Sequence, residues 1–223
     1  TLVAFKTVSP PARNTAPLQT QLAQQLTELG FQVKQQAFQT TDQLVSATLP
    51  GNDGQQGHSL LLNGHVDVAT VTDADRWQTD PFEVVQQGDR LVGRGSSDMK
   101  GAMACYLYLF KLLKQLEIPL AGDLKFQSVV GEEAGEAGTK TLLEQGERAD
   151  FAIVGDTSNL KFQGQGGVIT GWITLRSPHT YHDGNRANML RAGGGVNAAS
   201  MLAHMPVGIQ ALQHPDPHWA GTK

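Results

Sequence analysis

Six residues of this 223-residue chain have the types needed for hydrolytic chemistry: His65, Asp67, Asp98, the adjacent Glu132 and Glu133, and Asp156. An imidazole with several carboxylates suits Zn²⁺, Mn²⁺ or Co²⁺, and the two oxygens of a carboxylate allow it to bridge a pair of ions. Two ions held roughly 3.5 to 4 Å apart bind a water between them, lower its pKa and polarise a substrate carbonyl. The paired glutamates add a division of labour. One can bind metal while its neighbour stays free to carry a proton, which a fully engaged carboxylate does poorly. Any one of these aspartates taken alone reads equally well as a turn or capping residue.

What joins them is their recurrence where apolar runs end. The stretch LLLNGHVD, residues 60–67, reads as a buried strand running straight into His65 and Asp67. Side chains two apart on a strand point the same way, so Asp67 is placed to hold the His65 ring. A strand over residues 123–130 leads into GEEAGEAGT, and one over 151–154, expected to be buried, leads into Asp156. Asp98 lies in the glycine-rich GRGSSDMKGA, ahead of Met103, Tyr106, Leu107, Phe110 and Leu113 at helical spacing.

Upstream, Pro10 and Pro11 enforce an extended entry, and Asn14 or Thr15 can cap a helix carrying Leu18, Leu22, Leu26 and Leu29 on one face, stopped by Gly30. Two strands follow, over 31–38 and 44–49, and a helix is expected over 139–145. Alternating strands and helices imply an α/β fold with a mainly parallel central sheet flanked by helices, whose chemistry lies beyond the carboxyl ends of the strands. Near Gly166 the composition turns rich in Gly, Ala, Asn and His, which divides the chain into a catalytic metal-binding portion, 1–166, and the start of a smaller α+β domain, 167–223.

A net charge of -4 leaves no basic footprint for nucleic acid. No apolar run approaches the roughly 20 residues of a membrane helix. The single cysteine, Cys105, cannot form an internal disulfide, sits in an apolar helical pattern that suggests a buried thiol, and makes a reducing cytoplasm the expected setting. The glycine-rich segment lacks the GxxxxGK[ST] spacing of a phosphate-binding loop.

The motifs GHVDV (64–68), GRGSSDMKGA (93–102), GEEAG (131–135) and GDTS (155–158), in this order and spacing, resemble the M20 metallopeptidase family, the acetylornithine deacetylase, succinyl-diaminopimelate desuccinylase and carboxypeptidase group. The resemblance implies two divalent ions, zinc first with cobalt or manganese as alternatives. His65 and Asp156 would hold one ion, Glu133 the other, and Asp98 would bridge both. Asp67 would orient His65, and Glu132 would be the general base that later protonates the leaving amine. The family's smaller lid domain implies a homodimer and a histidine that stabilises the tetrahedral oxyanion. TYHDG makes His182 the match, with His179 as competitor.

Family members return to the catalytic domain after the lid and add a final histidine ligand, whereas this chain stops at Lys223. It is therefore expected to be a fragment, with the activity belonging to its parent protein. The implied reaction is hydrolysis of a small N-acyl amino acid or related amine, closest to acetylornithine deacetylase. A carboxypeptidase or dipeptidase acting on peptides is the alternative in the same family, and a non-catalytic relative the alternative outside enzymes.

Overall fold

The computed structural model describes residues 1–8, 13–52, 57–72, 77–135, 137–158 and 160–161. The chain divides into two units, Thr1–Gln163 and Gly164–Lys223, and the architecture below is that of the first. His182 and His179 lie outside the described residues.

The helix expected after the prolines forms as α1, Ala16–Glu28, with Pro17 in its first turn, where the missing N–H costs nothing. Leu18, Leu22 and Leu26 are fully buried at successive turns. Each contributes about 1.5–3 kcal/mol of burial. The chain leaves through Gly30 at φ +97°, a left-handed conformation that glycine adopts without strain. Thr15 occupies the N-cap position but does not cap with its side chain. Its hydroxyl instead donates to Asp42 at 2.6 Å, a carboxylate also bound by Arg13 at 3.1 Å. The charged acceptor outcompetes the helix's own N–H groups.

β1 (Gln32–Phe38) and β2 (Asp42–Leu49) form an antiparallel hairpin. The other strands of the main sheet are β3 (Leu60–His65), β6 (Leu124–Val129) and β7 (Phe151–Val154), and a small separate hairpin pairs β4 (Val85–Gln87) with β5 (Arg90–Val92). The five-stranded order is β1-β2-β6-β3-β7, with β2 antiparallel to β6 and β3 parallel to both β6 and β7. The α/β fold therefore has the parallel core read from the sequence, with the hairpin on one side.

α2 (Lys100–Gln115) crosses this core and α3 (Ala137–Glu144) follows the turn after β6. Met103, Tyr106 and Phe110 of α2 are buried, and the Phe110 ring lies between Phe31 and Phe126, with centroids 4.8 and 5.5 Å away. Helix and sheet approach closely at Gly64, where a Cβ would meet Met103 Sδ at 2.5 Å and Met99 Cε at 2.7 Å.

Two expectations about burial fail. Cys105 is exposed, because it falls beside the stripe of Met103, Tyr106 and Phe110 rather than on it. β7 forms where expected, but all four of its residues are exposed, since among the described residues it has a neighbour on one side only. Among the described residues no helix is long and apolar enough to cross a membrane.

Candidate metal centre

The three parallel strands end on one side of the sheet, and each delivers a candidate residue there. β3 ends at His65, level in register with Val129 of β6. β6 runs on through Val130 and Gly131 into a 3-10 turn, Glu132–Ala134, flanked by Gly131 and Gly135, both at φ +92°. Side-chain-bearing residues would be strained at both flanks, so the glycines allow the two glutamates to turn back over the strand ends. Gly155 and Asp156 follow β7. Asp98 arrives from the loop before α2, where the Asp98–Met99 peptide is cis and the Lys100 N–H donates to the Gly95 carbonyl at 2.9 Å.

His65 is the hub. Its ring is 2% exposed and has carboxylates on both sides. Nε2 lies 3.0 Å from Asp98 Oδ1, 3.8 Å from Asp156 Oδ2 and 3.9 Å from Glu132 Oε2. The ligand atoms of His65, Glu132 and Asp156 all lie within 4.8 Å of one another. On the other side Nδ1 is 2.9 Å from the Asp67 carbonyl and 3.4 Å from its carboxylate. A proton on Nδ1 satisfies this contact and leaves Nε2 as the nitrogen facing the carboxylates. The His65 N–H donates to Met99 Sδ at 3.2 Å.

Glu133 stands apart from the group around Nε2. Its carboxylate accepts from the Ala69 N–H at 2.9 Å, and its own N–H donates to Asp67 Oδ2 at 3.2 Å. The loop carrying Asp67 is fastened from behind by the N-terminal segment. The Thr7 hydroxyl donates to the Val66 carbonyl at 2.5 Å, the Val68 N–H donates to the Thr7 carbonyl at 2.9 Å, and Val8 forms a bridge with Val68. Lys100 is a buried cation whose Nζ donates to the Phe5 carbonyl at 2.8 Å. Burial lowers it to about 8, with the charge of Asp67 opposing.

The titration behaviour records a concentration of negative charge. Burial works against a proton on His65, but the hydrogen bonds and charge of Asp67 and the charge of Asp98 outweigh it and raise the imidazole to about 9. Asp98 is pushed up by burial and by Asp156, although His65 pulls it down. Glu132 is raised by burial and by Asp156, Asp98 and Asp67, with His65 opposing. Burial and the charge of Asp98 raise Glu133 too, against the Ala69 hydrogen bond. Carboxyls held above their ordinary range around one imidazole nitrogen have the donor chemistry of a divalent cation site and a charge that such a cation would neutralise.

The structure thus brings together His65, Asp98, Glu132 and Asp156, puts Asp67 behind the ring, and turns Glu133 towards Ala69. Two residues outside the sequence-predicted set, Lys100 and Tyr106, contact its supporting backbone. The signal in each case was a polar end on a side chain whose position in the helical pattern is buried.

The model of peptidase family M20/M25/M40 matches residues 61–214. N-formyl-4-amino-5-aminomethyl-2-methylpyrimidine deformylases of Bacillus subtilis and Halalkalibacterium halodurans are 48% and 51% identical to the chain over all 223 residues. The chain spans about half, 52%, of the length of each. A succinyl-diaminopimelate desuccinylase of Legionella pneumophila is 31% identical over 164 residues, 71% of this chain and 41% of that protein. Among solved structures, human carnosine dipeptidase 1 is similar with a TM-score of 0.61 and 26% identity, over 70% of this chain and 36% of that one.

Proposed function

Because the chain belongs to peptidase family M20/M25/M40, a family of metal-dependent hydrolases, we propose that its parent protein removes the formyl group from an N-formyl aminomethylpyrimidine. The observation that carries this reading is the likeness to two such deformylases over every residue of the chain. The reaction adds water across one amide bond: its oxygen goes to the formyl carbon, the C–N bond breaks, and formate and a primary amine are released.

His65, Asp98 and Asp156 would hold one divalent ion, and Asp98 and Glu133 would hold a second. The Nε2 distances support the first three assignments, and the charge of Asp98 felt by Glu133 supports their belonging to one charged site. Zinc fits this donor set first, with cobalt or manganese as alternatives. When bound, such ions supply Lewis acidity towards the amide oxygen and make water more acidic. Asp67 keeps the His65 ring turned with Nε2 outward. Glu132, close to Nε2 but more exposed than the buried ring, takes the proton of the attacking water and returns it to the departing nitrogen. His182 is retained as the oxyanion-stabilising residue of a lid over 167–223, a domain through which the family resemblance implies a dimer. A cytoplasmic setting is part of the same proposal, supported by a lone cysteine, Cys105, that cannot form an internal disulfide.

A second reading, an acetylornithine deacetylase-like enzyme, is favoured by the motifs FQSVVGEEAGEAG and GQGGVITGW. A dipeptidase is favoured by the likeness to carnosine dipeptidase 1. The test is metal analysis of the full-length protein together with kcat/KM on the N-formyl pyrimidine, N-acetylornithine and a dipeptide panel. About two ions per chain, chelator-sensitive turnover and preference for the formamide are expected. Preference for N-acetylornithine or a dipeptide moves the assignment to the corresponding relative. Absence of metal and turnover makes the chain part of a non-catalytic relative.

A further inference from the structure

Tyr106 lies on the face of α2 that packs against the sheet, 9% exposed, and meets the Phe126 ring edge to face at 6.3 Å between centroids. A buried phenol must find partners for its hydroxyl. Those partners are main-chain groups of two different strands. The hydroxyl donates to the Asn63 carbonyl of β3 across a long 3.5 Å and lies against the main chain of Gly155, just past β7. No side chain fits at Gly155. A Cβ there would run into the Tyr106 hydroxyl and would stand 3.0 Å from Ala102 Cβ and 3.1 Å from Tyr106 Cζ.

The register gives this contact its significance. Asn63 and Val154 are the last paired residues of β3 and β7. In a parallel ladder the next bond would run from the N–H of Gly155 to the carbonyl of Asn63. The phenol oxygen instead sits between those same two groups, where that rung would be. Two residues beyond the last pair, on one strand and the other, stand His65 and Asp156, whose Nε2 and Oδ2 are 3.8 Å apart. Within its own loop the Asp156 carboxylate also accepts at Oδ1 from the Thr157 N–H, at 2.5 Å.

We propose that Tyr106 is a positioning residue whose hydroxyl, spliced between Asn63 and Gly155, sets the spread of the β3 and β7 ends and with it the gap between His65 and Asp156. This rests on the metal-centre reading above. Without the hydroxyl the two main-chain groups either pair directly, which draws Asp156 towards β3, or remain without that partner. Either outcome changes the His65–Asp156 separation. The ring and its contact with Phe126 are untouched, so the effect is local.

The experiment uses the full-length protein and its Tyr106→Phe variant. It reads zinc affinity by chelator competition, kcat and KM at saturating zinc, and thermal unfolding after metal removal. Zinc binding about tenfold weaker is expected, in line with loss of an outer partner of a metal ligand. A lowered kcat with little change in KM and an unchanged metal-free Tm should accompany it. Unchanged zinc affinity overturns the inference, as does a fall in metal-free Tm that matches the loss of binding, which marks a merely structural role. Gly155→Ala supplies a second line. It should weaken zinc binding more in the Tyr106 protein than beside Tyr106→Phe, where the colliding hydroxyl is gone, and strictly additive effects overturn the inference. A wild-type protein that binds no zinc overturns the underlying metal reading and this inference with it, and is told apart by the wild-type arm alone.

Discussion

The backbone N–H of Glu133 donates to the carboxylate of Asp67 at 3.2 Å. Through its carbonyl, the same aspartate takes the Nδ1 side of His65 at 2.9 Å. Asp67 therefore joins the end of β3 to the glutamate turn after β6, and one residue sets both the orientation of the imidazole and the position of the two glutamates.

Replacing Asp67 should accordingly affect metal binding in two steps. Asp67→Asn keeps an acceptor oxygen for the Glu133 N–H and keeps the carbonyl, but removes the charge. Asp67→Ala removes both side-chain contributions. Zinc affinity of the full-length protein, measured by chelator competition, should fall about 10- to 100-fold for Asp67→Ala and less for Asp67→Asn. Equal effects of the two variants would mean that the Glu133 contact carries no weight.

Glu132 tests the division of labour between the neighbouring glutamates. Glu132→Gln preserves shape and removes the base, so kcat should drop by about 10²- to 10⁴-fold while zinc content stays at the wild-type level. Loss of an ion together with activity would move Glu132 into the ligand set, a place its 3.9 Å approach to His65 Nε2 makes geometrically accessible. Glu133→Gln should do the reverse, with metal lost first.

The pH dependence follows from the direction of the shifts. In the metal-free protein His65 is raised from 6.5 to about 9, so at neutral pH it holds a proton that a metal must displace. Zinc affinity should rise with pH, by up to about tenfold per unit, and level off above about 9. The stability of the metal-free fold should run the other way. A raised imidazole contributes stability that is complete below 6.5 and is lost as the pH rises through about 9. The raised carboxyls of Asp98, Glu132 and Glu133 act in the same sense at lower pH, favouring the fold while protonated and opposing it once ionised. Chelator-treated protein should therefore melt at a lower temperature at pH 9.5 than at pH 7, and added zinc should raise the Tm at both. A metal-free Tm that rises towards pH 9.5 would contradict the charge arrangement around His65.

The strand ends were legible in the sequence because an apolar run that stops at a histidine or acid marks both the buried strand and the edge it points over. That pattern marks His65, Glu132 and Asp156, whereas Asp98 is marked by the glycine-rich GRGSSDMKGA ahead of α2. What stayed hidden depended on main-chain groups, which side-chain spacing does not report. The Asp67 carbonyl on Nδ1, the Ala69 N–H that holds Glu133, and the two backbone partners of Tyr106 are all of this kind. Cys105 was misplaced because one residue of helical phase, about 100°, separates the buried stripe from the exposed side. β7 was misjudged because apolar composition reports a strand's capacity for burial, whereas its exposure depends on its neighbours.

The parallel register of β3 has a consequence for how the site comes into being. Leu60 pairs with Leu124 and with Phe151, partners 64 and 91 residues further along the chain. These are long loops to close, and pairings of such separation form slowly during folding. No short segment holds His65, Asp98, Glu132 and Asp156 together, so a metal ion has nothing to nucleate on in the unfolded chain. Binding of an ion at the proposed site should therefore be a late event, and its onset during refolding should report completion of the central sheet.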